Sequence, residues 1–157
     1  LMIKDSEIRH HQRILEDAER IWGRSGRSGR IRLERRANMV IEYCKLQPGM
    51  RVLEIGCGTG SLSERLVPTG VMLTATDILP EFLEITAQKC AGHRIETKIV
   101  DAETLAGLND DSFEAVVGLS VLHHLHLKDV LASIHRVLPC SGENSTDRDK
   151  EASISSE

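Results

Sequence analysis

Arg51-Val52-Leu53-Glu54-Ile55-Gly56-Cys57-Gly58-Thr59-Gly60 is the stretch that decides the fold. Val52 to Ile55 reads as a short buried strand entered through the Pro48-Gly49 turn, and glycine then recurs at every second position. Ser61-Leu62-Ser63-Glu64 reads as the start of a helix. A strand, a glycine turn and a helix make the first half of a βαβ unit, in which ligands sit beyond the carboxyl ends of the strands. Glycine permits the tight positive-φ turn and lets main-chain N–H groups approach a ligand without a Cβ in the way.

Downstream of this stretch, strand and helix patterns alternate. Val71 to Thr76 is a strand ending at Asp77, and Pro80 to Cys90 a helix with Leu83, Ala87 and Cys90 inward. Ile95 to Val100 is a strand ending at Asp101, and Phe113 to Leu119 a buried strand. Leu127 to Leu138 is a helix carrying Val130, Leu131, Ile134, Val137 and Leu138 on its apolar face. Such alternation with short links implies a doubly wound parallel sheet with helices on both faces.

Upstream, Ser6 to Trp22 has helical spacing of Ile14, Leu15, Ala18, Ile21 and Trp22. Gly23 to Arg30 reads as a flexible basic connector. A second helix follows, with Ile31, Ala37, Val40, Ile41 and Cys44 as its stripe. The expected organisation is N-terminal helices with a basic linker over 1–47, a ligand-binding core over 48–139 and a disordered polar tail over 140–157. The tail has too few apolar residues to offset chain entropy.

Composition narrows the function classes. At 157 residues the chain suits one domain with a single modest core, and 3% aromatics make that core aliphatic. A net charge of −4 argues against nucleic acid as partner. No apolar run approaches the roughly 20 residues of a bilayer span, and no signal-peptide pattern opens the chain, so no membrane partner is expected. Cys44, Cys57, Cys90 and Cys140 form no C-x-x-C pair, and reduced thiols in a cytoplasmic protein are the default.

Acidic residues stand at the ends of three successive strands, Glu54, Asp77 and Asp101. A carboxylate about 20 residues after a glycine turn is placed to accept both hydroxyls of a ribose. The next strand end then faces the base of a nucleoside.

At these residues a family resemblance becomes specific. Glu54-Ile55-Gly56-Cys57-Gly58-Thr59-Gly60 resembles motif I of the class I S-adenosylmethionine-dependent methyltransferases, E/D-x-G-x-G-x-G. Asp77 falls where that family keeps its ribose-binding acid, and Asp101-Ala102 resembles its adenine site. Phe113 to Leu125 is similar to its fourth-strand motif, and Ile134 to Pro139 to the helix leading into its "LKPGG" turn. The match runs from about Arg35 to Pro139 with order and spacing kept.

The resemblance implies S-adenosyl-L-methionine as cofactor and a small-molecule methyl acceptor, with a quinone-like metabolite suggested by Val116 to Leu125. It implies that Gly56, Gly58, Gly60 and the Cys57 backbone approach the methionine portion, with Glu54 orienting the turn. It implies that Asp77 takes the ribose diol, that Ile78 packs on the adenine, and that Asp101 and Ala102 read the adenine edge. The Leu119 carbonyl would help hold the methionine ammonium. It also implies a mobile lid over the substrate pocket that includes Arg24 to Arg32.

Simpler readings stand beside these. Asp77 could cap the helix beginning near Pro80, Asp101 could cap the turn toward Glu103, and Glu54 could serve only the turn. Cys57 reads as a small filler, not a nucleophile. Around His123-His124-Leu125-His126 no carboxylate or cysteine lies at ligand spacing, so no metal is expected. His124 is the candidate general base or substrate contact.

The resemblance implies a seven-stranded sheet ordered 3-2-1-4-5-7-6, whereas this sequence supplies a partial Rossmann-like sheet, 3-2-1-4, before Cys140 to Glu157 turns polar. Read one base later, permitted codons for Cys140 to Arg148 can encode a Pro-Gly-Lys-Ile-Leu-Leu-Thr-Glu-like run. A frameshift is therefore one expected origin of the tail, and a fragment boundary, suggested by Leu1 before Met2, is another. The fourth strand would be an exposed edge open to homodimer pairing. A non-catalytic S-adenosylmethionine-binding fragment is the alternative to an active enzyme. A dinucleotide oxidoreductase is disfavoured, because Ser61 occupies the third glycine position of G-x-G-x-x-G.

Overall fold

A computed structural model of the protein describes residues 26–119 and 125–139. The expected helix over 6–22, His124 and the tail over 140–157 lie outside the described residues.

Strand β1 (Arg51–Ile55) is the centre of the sheet. Val52, Leu53, Glu54 and Ile55 are all buried, as befits a parallel strand covered on both faces. It pairs in parallel with β2 (Met72–Asp77) on one side and β4 (Ala115–Val117) on the other, and β2 pairs with β3 (Ile95–Ile99). The order is β3-β2-β1-β4, as the family resemblance implies. Because every pair is parallel, the carboxyl ends of β1, β2 and β3 fall along one edge of the sheet.

The strands' two-residue period splits the core into two layers. Val52, Leu73, Leu66 and Val71 pack with Ala37 and Leu46 on one side. Leu53 and Ile55 pack with Leu105, Leu108, Phe113, Val130 and Val137 on the other. At the amino edge, Arg51 and Glu114 join β1 to the segment entering β4. The Arg51 amide donates to Glu114 Oε2 at 2.6 Å and its Nε to Oε1 at 2.9 Å. That hydrogen bonding holds the Glu114 carboxyl below the usual carboxylate range.

The helices depart from expectation at particular residues. The connector expected to be flexible over Gly23 to Arg30 is helical from Gly26, because α1 spans Gly26–Tyr43. Gly29, Leu33 and Ala37, four residues apart, face the core, with Val40, Ile41 and Cys44 packed against it. Ile31, expected in the stripe, lies about 200° of helical turn from Leu33 and is exposed. The helix after the glycine turn, α2 (Ser63–Leu66), is a single turn that passes into a 3₁₀ segment, Val67–Thr69. Pro68 stands at the start of that segment, and Gly70 ends it at φ 83°.

In α3 (Pro80–Lys89) the buried positions are Phe82, Leu83 and Thr86, followed by Cys90, while Ala87 is only half-buried. In α4 (Leu127–Val137) Val130 and Val137 are buried and Ile134 packs beside them. Leu131, expected inward, is 55% exposed. Strand β4 is shorter than the expected Phe113 to Leu119, since β1 pairs with it only over Val52, Leu53 and Glu54. Among the described residues no helix is long and apolar enough to cross a membrane.

Candidate functional site

The turn leaving β1 takes the left-handed conformation at Gly58 (φ 53°) and Gly60 (φ 74°). An L-residue with a side chain would be strained at both positions. Three hydrogen bonds hold the turn. The Cys57 amide donates to the Thr76 carbonyl at 2.9 Å, and the Gly60 amide to the Cys57 carbonyl at 3.0 Å. From the other side, the Thr86 hydroxyl on α3 donates to the Gly58 carbonyl at 3.0 Å.

Asp77 links this turn to the next one. Its Oδ2 accepts the Gly58 amide at 2.9 Å, and its Oδ1 accepts the Leu79 amide at 3.1 Å, immediately before α3. The simpler reading, a cap on the helix beginning near Pro80, does not hold, because Leu79 is the N-cap of α3 and no side chain caps it. Asp77 Oδ1 closes the turn just before the helix. A carboxylate offers about four acceptor sites, so one group can serve backbone amides and ligand hydroxyls together. Asp77 is half-buried at the carboxyl edge, where such a ligand would arrive.

Glu54 lies beneath the turn, only 2% exposed, and its Oε2 accepts the Ser63 hydroxyl at 2.6 Å. Its main-chain carbonyl accepts the Thr76 hydroxyl at 2.8 Å. It thereby ties the last residues of β1 to α2 and β2. Burial, together with the charges of Glu54 and Asp77, pushes the Cys57 thiol far above its ordinary range, so it stays protonated and fills space. Burial also pushes Cys90 up to about 11.

Beyond β3, Asp101 Oδ1 accepts the Glu103 amide at 3.0 Å, as the capping alternative anticipates. Ala102 beside it is buried, at 8% exposure. Glu103 then fastens this loop to the start of α4. Its Oε1 accepts the His126 amide at 3.0 Å and lies 2.9 Å from His126 Nδ1, while its carbonyl accepts the Ser133 hydroxyl at 2.7 Å. Ile78 and Leu119 are half-buried, on the segments that follow β2 and β4.

Glu54, Gly56, Cys57, Gly58, Gly60, Asp77, Ile78, Asp101 and Ala102 thus all belong to the carboxyl edge of β1, β2 and β3. Sequence reasoning missed Thr86, Ser63 and Thr76, which hold the turn through side-chain hydroxyls. The available signal was a polar residue on an otherwise buried helix face. Thr86 is four residues from both Phe82 and Cys90, and all three are buried.

A four-stranded parallel sheet ordered β3-β2-β1-β4, with a glycine turn on its carboxyl edge, defines a Rossmann-like cofactor-binding protein. The chain belongs to the class I S-adenosylmethionine-dependent methyltransferases, since a family model described as a methyltransferase domain matches residues 52–142. Individual proteins are similar to it as well. A ubiquinone biosynthesis O-methyltransferase of Xanthomonas axonopodis pv. citri is 34% identical over 90 residues, 54% of this chain and 38% of that protein. A highly reducing polyketide synthase of Penicillium polonicum is 31% identical over 119 residues, 69% of this chain and 5% of that protein. The crystal structure of a Pyrococcus horikoshii OT3 protein superposes with a TM-score of 0.65 at 25% identity, over 75% of this chain and 57% of that one. The chain therefore spans well under half the length of the curated relatives.

Proposed function

We propose that this chain binds S-adenosylmethionine at the carboxyl edge of its sheet and transfers the methyl group to the oxygen of a small phenolic acceptor. The observation that carries the cofactor half is the carboxylate of Asp77 on the Gly58 amide, which sets a ribose-accepting acid against the glycine turn. The donor set fits the cofactor. The turn brings amides within reach without a Cβ, Asp77 sets a carboxylate against that turn, and Asp101 and Ala102 flank the next strand end. When bound, the cofactor supplies an activated methyl on a sulfonium, so the protein's task is chiefly to position the reactants and exclude water.

In this reading Asp77 accepts the ribose hydroxyls, Gly56, Gly58 and Cys57 present backbone to the methionine portion, and Leu119 offers its carbonyl to the ammonium. Ile78, Asp101 and Ala102 form the adenine wall, and Glu54 holds the turn from below. The acceptor class is suggested by the ubiquinone-biosynthesis relative. His124 remains the candidate base for a phenolic proton. Cytoplasmic placement belongs to the same proposal, supported by Cys44, Cys57 and Cys90 all being free thiols.

Calorimetry with S-adenosylhomocysteine and, separately, NAD tests the cofactor half, followed by methyl transfer from S-adenosylmethionine to protocatechuate. Binding of S-adenosylhomocysteine but not NAD, with turnover, is expected. Binding without turnover on a wide acceptor panel favours a non-catalytic cofactor-binding chain, and no binding overturns both.

We also propose that a second copy pairs along β4, which is an edge of the sheet among the described residues. An unpaired parallel edge offers a row of backbone donors and acceptors to another chain. Sedimentation equilibrium is expected to show a dimer that Val116→Lys weakens, and a monomer at all concentrations would exclude it.

A further inference from the structure

At the amino edge of the sheet, opposite the cofactor turn, a cavity of about 490 Å³ opens between β2 and β3 and the segment before β4. Its size falls within the range of small-molecule sites. The strand period turns Thr74, Glu96 and Lys98 onto one face as its floor, and Leu108 and Phe113 from the overlying segment line it too. Leu108 and Phe113 are 6% and 7% exposed, so the apolar wall is anchored in the core.

The polar groups of this cavity are unevenly satisfied. Lys98 Nζ lies 3.2 Å from Glu96 Oε1, and Arg51 is occupied by Glu114. Among the described residues, neither the Arg94 guanidinium nor the Thr74 hydroxyl has a hydrogen-bond or ion-pair partner. Thr74 is only 8% exposed, and it lines the cavity. That hydroxyl opens to the cavity and can donate to a ligand acceptor there. The unpaired guanidinium supplies a planar fork suited to a carboxylate.

We propose that this cavity is a second ligand site, taking a small amphipathic monoanion: a carboxylate on an apolar ring or chain. The carboxylate pairs with Arg94 and accepts from the Thr74 hydroxyl, while the apolar body rests on Leu108 and Phe113. Thr74 precedes Asp77 by three residues on β2, about 10 Å at the rise of an extended strand, so the two sites are separate. The assignment does not depend on the methyl acceptor or on catalysis.

The test is a titration of the full chain, followed by amide NMR, with 4-phenylbutyrate and its neutral and cationic counterparts, 4-phenylbutyramide and 4-phenylbutylamine. The acid is expected to shift the Thr74, Ile95, Leu108 and Phe113 amides saturably, with an affinity about tenfold or more above the amide's. Arg94→Ala and Thr74→Val should each weaken the acid, and Arg94→Glu should move the preference to the amine. Each variant's amide spectrum reports its fold, and S-adenosylhomocysteine binding should be unchanged in all three. Equal response to acid and amide, no saturation below about 10 mM, or an acid affinity indifferent to Arg94→Ala would each overturn the proposal.

Discussion

Asp77→Ala is expected to weaken S-adenosylhomocysteine binding by about 100-fold or more, measured by calorimetry. Two losses combine. The Gly58 and Leu79 amides lose the acceptors that hold their turns at 2.9 and 3.1 Å, and the ribose loses its proposed carboxylate partner. Hydrogen bonds to a charged group contribute about 1.5–3 kcal/mol each, and about 2.7 kcal/mol is a factor of 100 in affinity. Asp77→Asn separates the two roles. Its amide offers one acceptor oxygen where the carboxylate offers two, so it can keep one turn bonded but cannot serve both turns and the ligand. An affinity near tenfold below the parent is expected for it, with thermal stability closer to the parent than that of Asp77→Ala. Wild-type affinity in Asp77→Ala would remove Asp77 from the site.

Gly60→Ala carries the largest expected loss of stability. A Cβ at this position would stand 2.8 Å from Thr86 Oγ1, 3.0 Å from Thr86 Cγ2 and 3.0 Å from the Thr86 Cα, at a φ of 74°. Oγ1 and Cγ2 belong to a side chain that is itself fully buried, and the Cα to the α3 backbone. The helix must move outward or the turn must open. Overpacking of this kind costs about 1–3 kcal/mol, and the left-handed backbone adds about 1–2 kcal/mol for a residue with a side chain. Urea denaturation should therefore show a loss of about 2–5 kcal/mol. Adding Thr86→Ala should recover part of it, because Oγ1 and Cγ2 are removed while the α3 backbone stays close. Strict additivity of the two substitutions would show that the turn does not meet α3 there.

The strands and their parallel sheet were legible because Val52, Leu73 and Val117 sit in apolar runs of strand length separated by turn residues, whereas their order came from the family resemblance. The acids at the strand ends were legible for the same reason, since a strand that stops at a carboxylate places it on the carboxyl edge. Side-chain partners were not. Nothing local distinguishes Thr86 from a surface threonine until Phe82 and Cys90 are known to be buried on either side of it. Ile31 and Leu131 were read as core on hydrophobicity alone, yet the helical phase set by Leu33, Ala37, Val130 and Val137 turns both outward. The short α2 followed from a residue in plain view, Pro68, whose breaking effect outweighed the helix-start pattern at Ser61. The amino-edge cavity needed the register of β2 against β3, which puts Thr74 opposite Glu96, and a single strand's pattern does not contain it.

The Arg51–Glu114 clamp sets a kinetic order for folding. It joins residues 63 apart in sequence, whereas the Gly58–Asp77 bond joins residues 19 apart. On the logarithmic loop-closure law the longer closure costs about 1 kcal/mol more. Strand β1 therefore meets β2 sooner than β4, and for that interval one side of the central strand is unpaired. The chain emerges from synthesis in the same order, with β4 after β1 and β2. Folding yield should consequently depend on how fast the short segment Ala115–Val117 closes onto Val52, Leu53 and Glu54. Dilution and low temperature during refolding protect that step, because intermolecular pairing competes with it.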